Sequence, residues 1–159
     1  MAIIARTGRG TFVEVRGQEK IIRLLKNLEG LAAKAAVRVI NKYCLLMVGE
    51  MRASIKKNTG NFKPYPRGDK IHWSSPPGSA PNRDTGGLEA GLYVDYANAE
   101  NKRADIVSNA KYSAALEYGT KYVEARPFMR PAIHKYIGPL YEDLKKAIQD
   151  EFKRGRKGT

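Results

Sequence analysis

From Gln18 to Lys57 the apolar side chains recur every three or four residues, through Ile21, Leu24, Leu25, Leu28, Ala32, Ala35, Ala36, Val39, Tyr43, Met47 and Met51. That period predicts an amphipathic helix, with Lys20, Arg23, Lys26, Lys34, Arg38, Lys42 and Arg52 at other positions. Gly30 interrupts the pattern, so a short helix, a break and a long helix are expected. A helix of roughly 27 residues is about 40 Å long, more than a small domain is wide. A small fold cannot cover such an element from end to end, and part of it is expected to pack on something else. Its alanine-rich start, Ala32, Ala33, Ala35 and Ala36, lets another helix approach closely.

The remaining material for a core is lean. The chain has 159 residues, enough for a single domain over 1–159 with an extended arm. Leu, Ile, Val and Phe together number 34, only just above the composition at which disorder becomes the default. A subunit that completes its burial against neighbours fits this balance. The formal charge is +13, and up to residue 70 there are 15 Lys and Arg against 5 Asp and Glu, so the excess lies mainly in the first part. Such a distribution suits a polyanionic partner, nucleic acid or an acidic protein surface; a solvated basic face is the plainer reading.

Other classes are excluded by what the chain lacks. One cysteine, Cys44, makes no internal disulfide. Set among Leu45, Leu46 and Met47 on the long helix, it reads as a buried structural thiol. No apolar run approaches the roughly 20 residues that span a bilayer, so no membrane is expected. The first six residues do not make a signal peptide, and the chain reads as one made and used in a reducing cytoplasm.

Thr11–Val15 alternates and is β-branched, so it reads as a strand after a turn at Gly8 and Gly10. Between Asn58 and Asn82 stand five of the eight prolines, with Phe62, Tyr65, Ile71, His72 and Trp73 among them. A long loop of this kind is functional or disordered, and its aromatic content favours an arm that orders against a partner, with Trp73 as the anchor. Tyr93–Ala97 and Ala104–Ser108 predict an antiparallel hairpin. Tyr112–Tyr118 reads as a helical turn closed by Gly119 in a left-handed cap. The last helix is expected over 129–153, with Ile133, Ile137, Leu140, Leu144, Ala147, Ile148 and Phe152 as its apolar stripe. Gly138-Pro139 is expected to kink or break it, and 153–159 reads as a basic flexible tail. The fold class is α+β: a long N-terminal helix and a C-terminal helix packed on a small antiparallel sheet, with the proline-rich arm at 58–82. A further strand near Tyr122–Glu124 is one option for that sheet.

Catalytic and metal-binding patterns are missing. His72 and His134 have no second ligand at metal spacing, and the serines stand in no nucleophile-elbow pattern. Without a convergent titratable cluster, no enzyme, cofactor or metal is expected. Helix-turn-helix spacing, zinc-finger ligands and an aromatic RNA-binding signature are also missing, so contact with DNA would be to the backbone alone.

Two stretches carry a resemblance. The first is Pro77-Gly78-Ser79-Ala80-Pro81-Asn82-Arg83-Asp84-Thr85-Gly86-Gly87-Leu88. The second runs from Tyr112 through Glu117-Tyr118-Gly119-Thr120 to Ala125-Arg126-Pro127-Phe128-Met129-Arg130-Pro131-Ala132. With the order of helix, proline-rich loop, hairpin, motif and helix, these resemble the tail-component, or neck, morphogenesis proteins of long-tailed bacteriophages. Ser113 stands where that family's element has alanine, and the segment over 58–75 is longer and more basic than usual in it.

The resemblance implies a virion protein assembled in the host cytoplasm. It would form a ring at the head–tail junction, a homo-oligomer with sixfold symmetry. Its neighbours would be a head-closure or connector protein and a tail terminator or tail tube protein, with DNA passing through the lumen without base-specific contact. A tail-terminator ring and a basic DNA-binding accessory protein are the alternatives. Phe62, Tyr65 and Trp73 of the arm and Glu117, Arg126, Phe128, Met129 and Arg130 of the motif are the candidate interface residues, with Gly78, Gly86 and Gly119 as motif glycines. Physically, Arg126 before Pro127 is driven to extended geometry and delivers Phe128 to a fixed place at the helix start. Phe128 and Met129 plug the core or a neighbour, and Glu117 pairs with Arg126 or Arg130.

Overall fold

A computed structural model describes residues 3–7, 11–15, 31–98, 100 and 102–157, with side chains within 32–153. The chain order is β1 (Ile3–Thr7), β2 (Thr11–Val15), α1 (Leu31–Lys57), β3 (Pro64–Arg67), β4 (Lys70–Trp73), α2 (Gly87–Ala90), β5 (Leu92–Asp95), β6 (Asp105–Ser108), α3 (Ser113–Tyr118) and α4 (Met129–Lys157). The protein is α+β, two long helices with a small set of antiparallel strands. The expected short helix over 18–29, its break at Gly30 and the turn at Gly8 and Gly10 lie outside the described residues.

The main sheet has the order β1-β2-β6-β5, antiparallel throughout. β2 enters beside β6 with Phe12 opposite Val107, and the β5–β6 hairpin sets Val94 opposite Ile106. Along β5, Leu92 and Val94 are buried while Tyr93 and Asp95 face out, the two-residue alternation of a half-covered sheet. The sheet's fourth strand is β1, not Tyr122–Glu124. That segment bends instead, because the Thr120 hydroxyl accepts the backbone N–H groups of both Tyr122 and Val123 and turns the chain on itself.

Helix α1 covers the sheet and α4 lies along α1. Cys44, Met47, Val48, Met51 and Ile55 of α1 meet Leu92, Val94 and Ile106 of the sheet and Met129, Ala132 and Ile133 of α4 in one core. The alanines at the start of α1 serve the close approach: Ala36 is fully buried against Leu144 of α4, with Val39, Ile40 and Ile148 around them. Tyr43 meets Tyr136 edge to face, their centroids 6.4 Å apart. Polar ties flank this seam. Lys42 Nζ and Tyr43 Oη both donate to Asp143 Oδ2, at 3.0 and 2.9 Å, and Lys135 Nζ donates to Glu50 Oε2 at 2.8 Å. Cys44 is buried, and burial pushes its thiol up to about 11.

Helix α4 runs unbroken through Gly138-Pro139 to Lys157, past the expected stop and into the expected tail. A residue before proline is normally driven out of the helical region by contact between its own Cβ and the proline ring. Glycine has no Cβ, so Gly138 removes part of that clash. Contacts with α1 on both sides of Pro139, at Lys135 and at Asp143, hold the two halves in line.

Candidate interaction site

The motif that singled out Glu117 builds the joint between α3 and α4. Helix α3 ends at Gly119, whose N–H donates to the Ala115 carbonyl. Gly119 takes φ 76° and ψ 176°, a glycine conformation beyond the left-handed helical cap that was expected. A Cβ here would lie 2.8 Å from the Val123 carbonyl oxygen and 2.9 Å from the Ala125 nitrogen, both backbone atoms. The chain then loops back, and Arg126 N–H donates to the Leu116 carbonyl at 2.6 Å.

This return brings the start of α4 over Glu117, which is 1% exposed. Its Oε2 accepts the N–H groups of Phe128 and Met129 at 2.8 and 2.9 Å. Its Oε1 accepts the N–H of Arg130 at 2.9 Å and the Arg130 Nε at 3.0 Å. Arg130 also donates to the Glu117 carbonyl and lies over the Tyr118 ring. A helix start leaves N–H groups unpaired and carries a partial positive charge. One buried carboxylate supplies acceptors and the opposite charge to that end. Burial, and after it the Glu117 charge, push the Tyr118 phenol above its usual value.

Of the two cationic partners expected for Glu117, Arg130 makes the pair. Arg126 Nε instead donates to the Ser75 carbonyl and its Nη1 to the Glu124 carbonyl, both at 3.0 Å. Phe128 and Met129 are each 1% exposed and sit in the subunit's own core. Ser113, the departure from the resembling element, is also buried, and its hydroxyl hydrogen-bonds that of Ser108. Sequence reasoning did not reach this pair, since nothing in the pattern joins a strand end to the following turn.

The aromatic residues of the 58–82 segment are placed differently. β3 and β4 form a two-stranded hairpin that pairs Pro64 with Trp73 and Tyr65 with His72. Pro64 and Pro66 stand at alternate positions, which a two-stranded ribbon tolerates because proline can leave its unbonded side to solvent. Gly68, at φ 56°, turns the ribbon between Arg67 and Lys70. Phe62, Tyr65, Ile71 and Trp73 are all exposed, Ile71 at 72% and Trp73 at 43%. The base of the hairpin is tethered. Asn82 Nδ2 donates to the carbonyls of Gly60 and Trp73, Arg67 pairs with Asp84, and His72 Nδ1 lies 3.4 Å from Asp84. Gly78, at φ 79°, donates its N–H to the Ala125 carbonyl, and Gly86, at φ 84°, sits immediately before α2.

A second exposed apolar group lies on α1. Leu45 and Leu46 are 51% and 40% exposed, and a Cβ at Gly49 one turn on would meet nothing within 4 Å. Among the described residues no group of three or more His, Cys, Asp or Glu side chains is placed to hold a metal ion. Among them, too, no helix is long and apolar enough to cross a membrane. No protein-family model, curated protein or solved structure matches this chain.

Proposed function

We propose that this chain is a structural subunit of the neck of a long-tailed bacteriophage, a ring that joins the head-closure complex to the tail and completes it. The observation that carries this reading is the placement of apolar surface. Phe62, Tyr65, Ile71 and Trp73 stand on a tethered hairpin outside a core that already closes on itself. The motif from Tyr112 to Ala132 fixes the last helix within the subunit and leaves association to the hairpin and to the outer side of α1. A closed ring needs two different patches that meet head to tail. The hairpin and the Leu45–Leu46–Gly49 surface are two such patches, and a hairpin side chain can approach α1 closely at Gly49.

In this role the protein works by binding alone. One face of the ring meets the head-closure or connector protein and the other the tail terminator or tube, while DNA passes through the lumen. Assembly takes place in the host cytoplasm and the product resides in the virion. A tail-terminator ring would use the same two patches. The +13 charge favours one reading of another class, a DNA-binding accessory protein.

The test is the mass of the purified protein by light scattering, at two concentrations and two salt levels. A discrete closed oligomer that the Trp73→Ala and Leu46→Glu variants dissolve is expected. A monomer under every condition, with duplex affinity that falls steeply as salt rises, would replace the ring with the accessory protein.

A further inference from the structure

We infer that the cleft between the base of the β3–β4 hairpin and the 82–89 turn binds an arginine side chain carried on an extended polypeptide. The cleft encloses 490 Å³, and Tyr65, Trp73 and Tyr112 are among its walls. Three lining residues carry buried oxygens with no hydrogen-bond partner among the described residues: Ser75 Oγ, Asn82 Oδ1 and Glu89 Oε1. Ser75 is 1% exposed and Glu89 7%. The Asn82 amide is fixed in orientation, since its nitrogen is spent on the Gly60 and Trp73 carbonyls and its oxygen is left over. Arg83 Nε lies 3.1 Å from Glu89 Oε1, but without hydrogen-bond geometry, so the carboxylate has a charge nearby and no directed donor.

These unmet groups define the ligand. An amide oxygen and a carboxylate only accept, and a hydroxyl does either, so the complement is a donor. The carboxylate asks for a positive one. A guanidinium offers five N–H groups in one plane, is weakly hydrated and stacks on aromatic faces. An ammonium is a compact, strongly hydrated point charge that cannot serve three separated acceptors as well. An anion is disfavoured although Arg67, Arg83 and Arg126 also line the cleft. Arg67 is paired with Asp84, Arg83 lies against Glu89, and Arg126 is held by two carbonyls. The volume exceeds one side chain and falls in the range of sites that enclose a ligand of several residues' bulk. The residues flanking the arginine would lie against exposed Trp73.

The site does not depend on ring formation. Its test uses Trp73, the chain's single tryptophan, as a reporter inside the cleft. The full chain is titrated with acetyl-Gly-Arg-Gly-amide, its Lys and Glu counterparts, free arginine and inorganic phosphate. A saturable change in emission is expected with the arginine peptide, with affinity about tenfold lower for the lysine peptide and for free arginine. The glutamate peptide and phosphate should give none. Glu89→Gln should weaken the arginine peptide about tenfold, and Ser75→Ala several-fold, with folding checked by circular dichroism. Should Glu89→Gln fail to fold, Ser75→Ala and the peptide series decide. Stronger binding of phosphate or the glutamate peptide, no saturable arginine response, equal binding of free arginine, or full affinity in the folded variants would each overturn the inference.

Discussion

Removing the Glu117 carboxylate should cost far more than removing an ordinary helix cap. A surface N-cap is worth about 1 kcal/mol. Here one side chain serves the N–H groups of Phe128, Met129 and Arg130 and also the Arg130 guanidinium, at 2.8 to 3.0 Å, while itself 1% exposed. Each buried donor left without an acceptor costs about 1–3 kcal/mol. The Arg130 side chain is 41% exposed, which gives water a route to one side of the gap and pulls the sum toward its lower end. Glu117→Ala is therefore expected to destabilise the protein by about 3–5 kcal/mol, the range found when one partner of a buried pair is deleted. For a chain of this size that lowers the melting temperature by about 6–20 °C. Glu117→Gln keeps the shape but turns an NH₂ toward donors, and should cost about half as much. Arg130→Ala leaves the three N–H bonds in place and should cost about 1 kcal/mol. The assay is urea unfolding followed by far-ultraviolet circular dichroism, since Trp73 sits on the exposed hairpin and reports poorly on α4. The double variant should cost less than the two singles added, by about 0.5–3 kcal/mol. A Glu117→Ala cost under 1 kcal/mol, or strict additivity, would refute the idea that one buried carboxylate holds the start of α4.

Three further outcomes follow from the same geometry. Gly119→Ala should destabilise by about 2 kcal/mol or more, from positive φ and backbone contacts below 3 Å, whereas Gly49→Ala, in open space on a helix, should stabilise the monomer by about 0.5–1 kcal/mol; thermal melts of both separate the cases. Cys44, buried and with its thiol pushed up to about 11, should react with a disulfide reagent at pH 8 only at the rate of unfolding, and a fast native reaction would contradict its burial. Lys42, and after it Tyr43, hold Asp143 below its usual 3.8, and Lys135 holds Glu50 below 4.5, so their contribution is full above those values and lost as pH falls through the lower folded ones. The denaturation midpoint should fall on acidification in that window, and an Asp143→Asn, Glu50→Gln variant should show a shallower fall; an identical slope would remove the α1–α4 ties from the account.

How far the sequence could be read depended on the range of the forces involved. The long helix, the β5–β6 hairpin, the α3 turn and the start of α4 follow from periods and turn residues within a few positions of one another, and these were legible. The Pro139 break was not, because the local penalty is outweighed by contacts about a hundred residues apart in sequence, such as Lys42 with Asp143. The strand expected near Tyr122 gave way to one hydroxyl, Thr120, whose bonds to the two following N–H groups leave no signature in hydropathy.

The candidate site divides along the same line. That Glu117 pairs with an arginine was legible; which one, and that the carboxylate also caps the helix, depends on the turn at Gly119, where backbone atoms leave no room for a side chain. The aromatic residues of the proline-rich segment were picked out by composition alone, and composition cannot distinguish a loop from a ribbon. The ribbon matters for what the surface can do. Each of its exposed side chains is held at a fixed spacing by a paired strand, and Asn82, Arg67 and Asp84 anchor its base. A partner that meets Ile71 and Trp73 therefore does not have to order the segment that presents them. Less binding energy is spent on lost chain entropy, and more of the contact remains to hold one subunit to the next.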